Sequence, residues 1–258
     1  MTNEYLFSII FKVSKNELEK LYEMKKKIFK KIALLLLLLS CFSAVACSQI
    51  DNSIIKMVDI KLTEEEYAFV CKKGNTALAQ SMNDFMSEIK ANGEFDALVA
   101  KYFKGEGEKI GYPIATGDVQ NTKDNFVVAT NCPFAPFEYM ENDGLIYGLD
   151  IEIAASYAES HGLELVIKNI GFNDIFVQVD AGYADIGMAG ITVDAEREKT
   201  YDFTKPYYEA SQKLIVLSGN SDFDKCESVS DVEAMLSSLN GVGVGFQSAT
   251  TGSLYICG

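Results

Sequence analysis

From Asn125 to Leu217 the chain alternates between short apolar runs and amphipathic stretches, and this alternation most restricts the folds open to it. Phe126 to Thr130 is apolar, a helical pattern follows from about Leu149 to His161, and Leu163 to Lys168 is apolar again. A second helical pattern spans Asn173 to Ala181, and Asp185 to Ala189 and Lys213 to Leu217 read as further strands. Strands separated by helices of this length predict right-handed βαβ units and a parallel sheet, that is, an α/β fold. In open sheets of this kind ligands gather beyond the carboxyl ends of the strands, so the loops there carry the chemistry.

Upstream, Tyr67 to Val70 reads as a short strand, and Gly74-Asn75-Thr76 punctuates the chain before a helix. Leu78, Met82, Phe85, Met86 and Ile89 share one face of that helix at 3.6-residue spacing, and Gly93 ends it. Phe95, Leu98, Val99, Tyr102 and Phe103 form a second amphipathic turn. These methionine and aromatic stripes are core positions. Gly105, Gly107, Gly111, Pro113 and Gly117 mark a linker over 104–124.

Charge narrows the partners. A formal net charge of -14 argues against nucleic acid, whose phosphates need a basic face. A small solute or a protein fits better. The basic residues cluster at Lys25, Lys26, Lys27, Lys30 and Lys31, ahead of an apolar run from Ile32 to Leu39. This pattern predicts an export signal over 24–46, short of the roughly 20 residues of a permanent membrane helix. Ala44-Val45-Ala46 before Cys47 resembles a bacterial lipoprotein signal, with Cys47 lipidated and 47–61 as a tether. Cleavage before Cys41 and plain secretion after Ala46 are the rival readings. Residues 1–23 receive no fold. Cys71, Cys132, Cys226 and Cys257 show no metal-ligand spacing and read as free thiols, and neither a metal nor a cofactor is expected. His161, the only histidine, precedes Gly162 at a helix end and suits a cap.

The loop after the first strand, Asn131 to Tyr139, concentrates aromatics and two prolines, either to wall a ligand pocket or to pack on itself. The loop Gly190 to Arg197 supplies a bare backbone position, the Thr192 hydroxyl and the only arginine in the chain. A guanidinium can grip a carboxylate with two parallel hydrogen bonds, although an Arg beside a Glu is also a common surface pair.

Several phrases in order resemble the first lobe of family 3 solute-binding proteins, which bind polar amino acids for ABC import. They are Ala129-Thr130-Asn131, Pro136-Phe137-Glu138-Tyr139, Gly148-Leu149-Asp150-Ile151-Glu152, Ala184 to Thr192, Asp202-Phe203-Thr204 and Pro206-Tyr207-Tyr208. The resemblance implies that Arg197 holds the ligand α-carboxylate, that Thr192 and the Gly190 backbone bind polar ends, and that Phe134 and Phe172 sandwich the side chain. Asn131 stands where many members carry an acid. Val242 to Gln247 resembles the first strand of the second lobe, with Thr250-Thr251-Gly252 opening a helix whose Thr251 and Gly252 face a carboxylate.

The resemblance therefore implies a type II periplasmic-binding-protein-like lobe over 125–217 and a truncated start of the second lobe over 218–258. Residues 62–103 resemble the end of the same domain, which in the family returns from the second lobe to complete the first. Their position ahead of it implies either a rearranged tandem piece, the favoured reading, or a circular permutation. The expected function is capture of a polar amino acid outside the cell for an ABC permease, without catalysis. The alternatives are a remnant or sensory module that no longer binds and, further off, a dehydratase on the same fold, for which Glu138 and Asp150 are the only nearby acids.

Overall fold

The computed structural model describes residues 54–117 and 119–257; the expected leader, signal and Cys47 lipidation site lie outside them. The chain divides into two compact units. The first is described at residues 54–56 and 217–219, where the Ser218 N–H donates to the Ile54 carbonyl. The second, 57–216 with 220–257, carries the central sheet, its helices and the cavity.

The strands are β1 (Ile55–Met57), β2 (Glu65–Tyr67), β3 (Val70–Lys72), β4 (Asn125–Thr130), β5 (Tyr139–Met140), β6 (Ile146–Tyr147), β7 (Glu164–Asn169), β8 (Ile186–Gly187), β9 (Tyr201–Phe203), β10 (Tyr208–Ala210) and β11 (Ile215–Leu217). The helices are α1 (Thr76–Ala91), α2 (Glu94–Val99) with a π-helical turn over Ala100–Lys104, α3 (Leu149–Ser160), α4 (Phe172–Ala181), α5 (Ala195–Thr200), α6 (Val229–Ser238) and α7 (Thr251–Cys257).

The central sheet has five strands in the order β7-β4-β8-β3-β9. β4 runs parallel to both β7 and β8, as the βαβ pattern predicts. The sheet is nevertheless mixed, because β3 enters antiparallel between β8 and β9, with Val70 opposite Gly187 and Phe203. The strand expected over Tyr67 to Val70 is two strands: β2 pairs with β10, and the chain turns at Ala68-Phe69 before β3. Alternation then sorts the side chains. Phe69, Cys71, Phe126 and Val128 face a core shared with α1, α2 and α3, where Met82, Ile89, Leu149 and Ile153 are fully buried. Val70, Val127 and Ala129 face the other side, against Ile175 and Val179 of α4. Residues 62–103 thus build one core with the chain beyond 125.

Polar contacts join the same two stretches. Glu152, buried in the first turn of α3, pairs with Lys101 at 2.6 Å and accepts from the Tyr102 hydroxyl and the Ile110 N–H. The stretch expected as a linker over 104–124 is partly ordered against the sheet. Tyr112 exchanges backbone hydrogen bonds with Ile146, and Ile114 bridges Ile167, because Tyr112 and Ile114 bury their side chains beside Ile151. The strand expected over Val242 to Gln247 does not form; Gly241, Gly243 and Gly245 weaken it and no strand pairs with it. His161 is the C-cap of α3, stacked on Tyr157 at 4.1 Å. Cys71, Cys132, Cys226 and Cys257 are free thiols.

Two carboxyls lie in this core. Asp150, fully buried at the start of α3, accepts from the Tyr207 hydroxyl at 2.6 Å and the Gly190 N–H at 3.1 Å. Burial raises it to about 7 against the pull of those two donors. Glu138 is 1% exposed with both oxygens unpartnered, and burial, then the Asp150 charge, pushes it well above the usual carboxylate range.

Gly148 fixes the entry to α3. Its φ is +145°, and a Cβ there would stand 1.9 Å from the Phe137 carbonyl oxygen. We predict that Gly148→Ala costs about 3 kcal/mol or more and lowers the melting temperature by roughly 10 °C, read by thermal unfolding; an unchanged midpoint contradicts this geometry. A second prediction concerns pH. Between about pH 4 and 7 the unfolded Asp150 ionises while the folded one keeps its proton, so its contribution to stability falls as pH rises through that window. The shift corresponds to on the order of 4 kcal/mol. Denaturant unfolding of Asp150→Asn should lack this downward component relative to wild type, whereas identical pH slopes would refute it.

Candidate functional site

One cavity of about 690 Å³ opens where the strand-end loops converge. It brings together all eight residues singled out from the sequence. Asn131 and Phe134 come from the loop after β4, and Phe172 opens α4. Gly190, Thr192 and Arg197 come from the loop after β8 and from α5, and Thr251 and Gly252 begin α7.

Local chemistry fixes each of them. Asp194 caps α5 by accepting from the Glu196 and Arg197 N–H groups, and its other oxygen faces Arg197 Nε at 3.1 Å. The guanidinium lies over the Phe172 and Phe176 rings, 5.6 and 5.1 Å from their centroids. Its Nη1 donates to the Thr192 carbonyl at 2.7 Å and its Nη2 to the Ala249 carbonyl at 3.0 Å. Nε is ion-paired with Asp194 without a hydrogen bond, and one N–H on each of Nη1 and Nη2 remains for a ligand. Burial lowers the Arg197 pKa, and the Asp194 and Glu65 charges oppose that. Ala249 has the one positive φ, +64°, among the described non-glycine residues, which aims its carbonyl at this cation.

Gly190 sits at φ +51°, and a Cβ there would meet the Phe134 ring at 2.5 Å, so a glycine lets the aromatic ring close over the loop. Its N–H is taken by Asp150 and is not free for a ligand. Phe134 stacks on Phe137 at 5.4 Å and is 38% exposed, so the loop both packs on itself and presents one ring to the cavity. The Asn131 amide is engaged, donating to the Ile170 carbonyl at 2.6 Å and accepting from Gln247 at 2.7 Å.

Reasoning from sequence named Glu138 only as an acid for the dehydratase alternative and missed Glu65 altogether. Glu138, read as a loop residue, lines the cavity with both oxygens buried and unpartnered. Glu65, one of three consecutive glutamates, is 6% exposed and lies behind the cavity wall. It accepts from Thr63 at 2.8 Å, Thr192 at 2.8 Å, Thr251 at 3.0 Å and Gln212 at 3.3 Å. Strand parity was the available signal, since Glu65 and Tyr67 share the buried face of β2 while Glu66 faces out. Among the described residues no group of acids, cysteines and histidine is placed to hold a metal, and no helix is long and apolar enough to cross a membrane.

Residues 126–243 match the family model for bacterial extracellular solute-binding proteins, family 3. A probable histidine-binding protein of Neisseria gonorrhoeae is 30% identical over 57% of this chain and 50% of its own length. The arginine-binding extracellular protein ArtP of Bacillus subtilis is 29% identical over 37% of each chain. The chain thus spans half or less of these curated relatives. Among solved structures, the arginine-, lysine-, histidine-binding protein ArtJ of Geobacillus stearothermophilus is 39% identical over 33% of this chain and 36% of that one, with a TM-score of 0.31. An ancestral cyclohexadienyl dehydratase is 34% identical over 33% of this chain and 36% of that one, with a TM-score of 0.32. Residues 126–243, which hold the central parallel strands and most of the cavity loops, are thus similar in sequence to the bacterial extracellular solute-binding proteins, family 3.

Proposed function

We propose that this chain is an extracytoplasmic receptor for a polar amino acid, delivering it to an ABC permease from a lipid anchor on Cys47. The observation that carries the reading is the convergence of the sole arginine, the aromatic rings and the α7 threonine on one cavity. In this reading Arg197 takes the α-carboxylate with its two free N–H groups while Phe134 and Phe172 wall the ligand's side chain. Glu138 favours a side chain ending in a hydrogen-bond donor, because a guanidinium or amide there would satisfy oxygens that now have no partner. Asn131 tunes that end of the pocket only when Gln247 releases it. Residues 62–103 complete this lobe from upstream, as a permuted arrangement requires. The dehydratase alternative would cast Glu138 as a general acid, but Asp150 is held by Tyr207 and Gly190, so binding without turnover is the favoured function.

Screening the full chain against the proteinogenic amino acids by thermal shift tests the proposal, since a ligand of the native state raises its melting temperature. We expect a selective shift, abolished in Arg197→Ala with folding retained. No shift with any amino acid would mark a chain that folds without binding, and an unchanged shift in Arg197→Ala would refute the carboxylate site.

A further inference from the structure

Residues 247–251 reach into the cavity and bond to polar groups that the proposed solute would also use. The Gln247 side-chain amide donates to the Asn131 carbonyl oxygen at 2.7 Å, and the Ala249 backbone carbonyl accepts from Arg197 Nη2 at 3.0 Å. Asn131 is fixed on its other side, where its own amide donates to the Ile170 carbonyl. The stretch thus sets a donor at the Asn131 end and an accepting oxygen at Arg197. An amino acid held by its carboxylate at Arg197, with a donor at the far end of its side chain, presents the same polarity to the same two residues.

The hold on this stretch is uneven. Upstream, no strand among the described residues pairs with Val242 to Gln247, Gly241, Gly243 and Gly245 loosen the approach, and Gln247 itself is exposed. The Thr250 hydroxyl donates to the Gln247 carbonyl at 2.7 Å and closes the stretch into a turn. Ala249 stands inside that turn at φ +64°, in the left-handed region that disfavours any residue with a Cβ. Downstream the chain is anchored. The Thr251 hydroxyl donates to Glu65 at 3.0 Å and accepts from Gln212 at 3.2 Å, and the Ser253 and Leu254 N–H groups return to the Thr250 carbonyl. A turn fixed at α7, loose upstream and strained at Ala249 can leave the cavity without unfolding the lobe.

We propose that Gln247 to Thr250 form an autoinhibitory strap, a piece of the chain that competes with the solute for Asn131 and Arg197 and is displaced when the solute binds. This rests on the solute-binding reading above. A solute donor that takes the Asn131 oxygen from the direction now used by Gln247 displaces that side chain. A carboxylate on the remaining N–H of Nη2 sets negative oxygens beside the Ala249 carbonyl, and the two repel. Both events push the turn the same way, and its release removes the conformational penalty at Ala249. The apparent affinity for solute is then reduced by the fraction of the chain whose strap is open.

Calorimetric titration of the full chain and of two strap variants with L-arginine, L-histidine and L-glutamine tests this, together with hydrogen exchange over residues 246–254 before and after the amino acid is added. Gln247→Ala removes the contact to Asn131 and should bind about fivefold more tightly than wild type, the scale of one hydrogen bond. Ala249→Gly relieves the left-handed residue while the strap is closed and should bind roughly threefold more weakly. Exchange over 246–254 should quicken when the amino acid binds. Equal affinities in all three chains overturn the strap and leave solute binding intact. Slower exchange on binding, or weaker binding by Gln247→Ala, does the same, because the turn would then close over the solute and hold it. Binding by Gln247→Ala with none by wild type supports the strap in its strongest form. If none of the three chains binds any of the three amino acids, the strap and the solute-binding reading fall together.

Discussion

The insertion of β3 between β8 and β9 is the contact on which the rest of the lobe depends. Val70 to Lys72 are the only antiparallel residues in the five-stranded sheet, and without them β8 and β9 would each expose an unpaired edge. The same insertion places Phe69 against Tyr207 at 4.5 Å and brings α1 and α2 onto the face of the sheet already occupied by α3. It also carries Glu65 and Tyr67 to the strand ends, where β2 pairs with β10 and Tyr67 bridges Thr192. A stretch outside the matched region thus supplies both an inner strand of the sheet and the back wall of the site.

The site is built from unequal charges. The Arg197 cation is held by two carbonyls, a carboxylate and two aromatic rings, so its direction is fixed before any ligand arrives. Three buried acids surround the cavity in different states of satisfaction. Asp150 is anchored by a hydroxyl and an amide, Glu65 by four neutral donors, and Glu138 by nothing among the described residues. Preorganised polar groups of this kind lower the cost of ordering a ligand, and an unpartnered buried oxygen favours the ligand that pairs with it.

Much of this was legible in the sequence, for local reasons. Helical spacing marked Met82, Phe85, Met86 and Ile89 as core, and alternating apolar runs placed β4 and β7 close to their observed limits. Arg197 stood out because it has no counterpart in the chain. What escaped was non-local. Nothing near Val70 announces that it pairs with Gly187 and Phe203, and the glutamate run at 64–66 looks like a solvated face until β2 turns Glu65 inward. The Ala249 carbonyl that meets Arg197 is backbone, which composition cannot show. Tyr112 and Ile114 were hidden in a glycine-rich stretch whose punctuation outweighed their burial.

Hydrogen exchange across Ala68 to Lys72, measured beside Phe126 to Thr130 in the same chain, tests the central claim most directly. If β3 is the inner antiparallel strand, its amides open only with the lobe as a whole, and both segments should exchange together at the slow rate of the core. Fast exchange of Ala68 to Lys72 while β4 stays protected would show that the upstream segment does not complete the sheet, and the site built on it would fall with it.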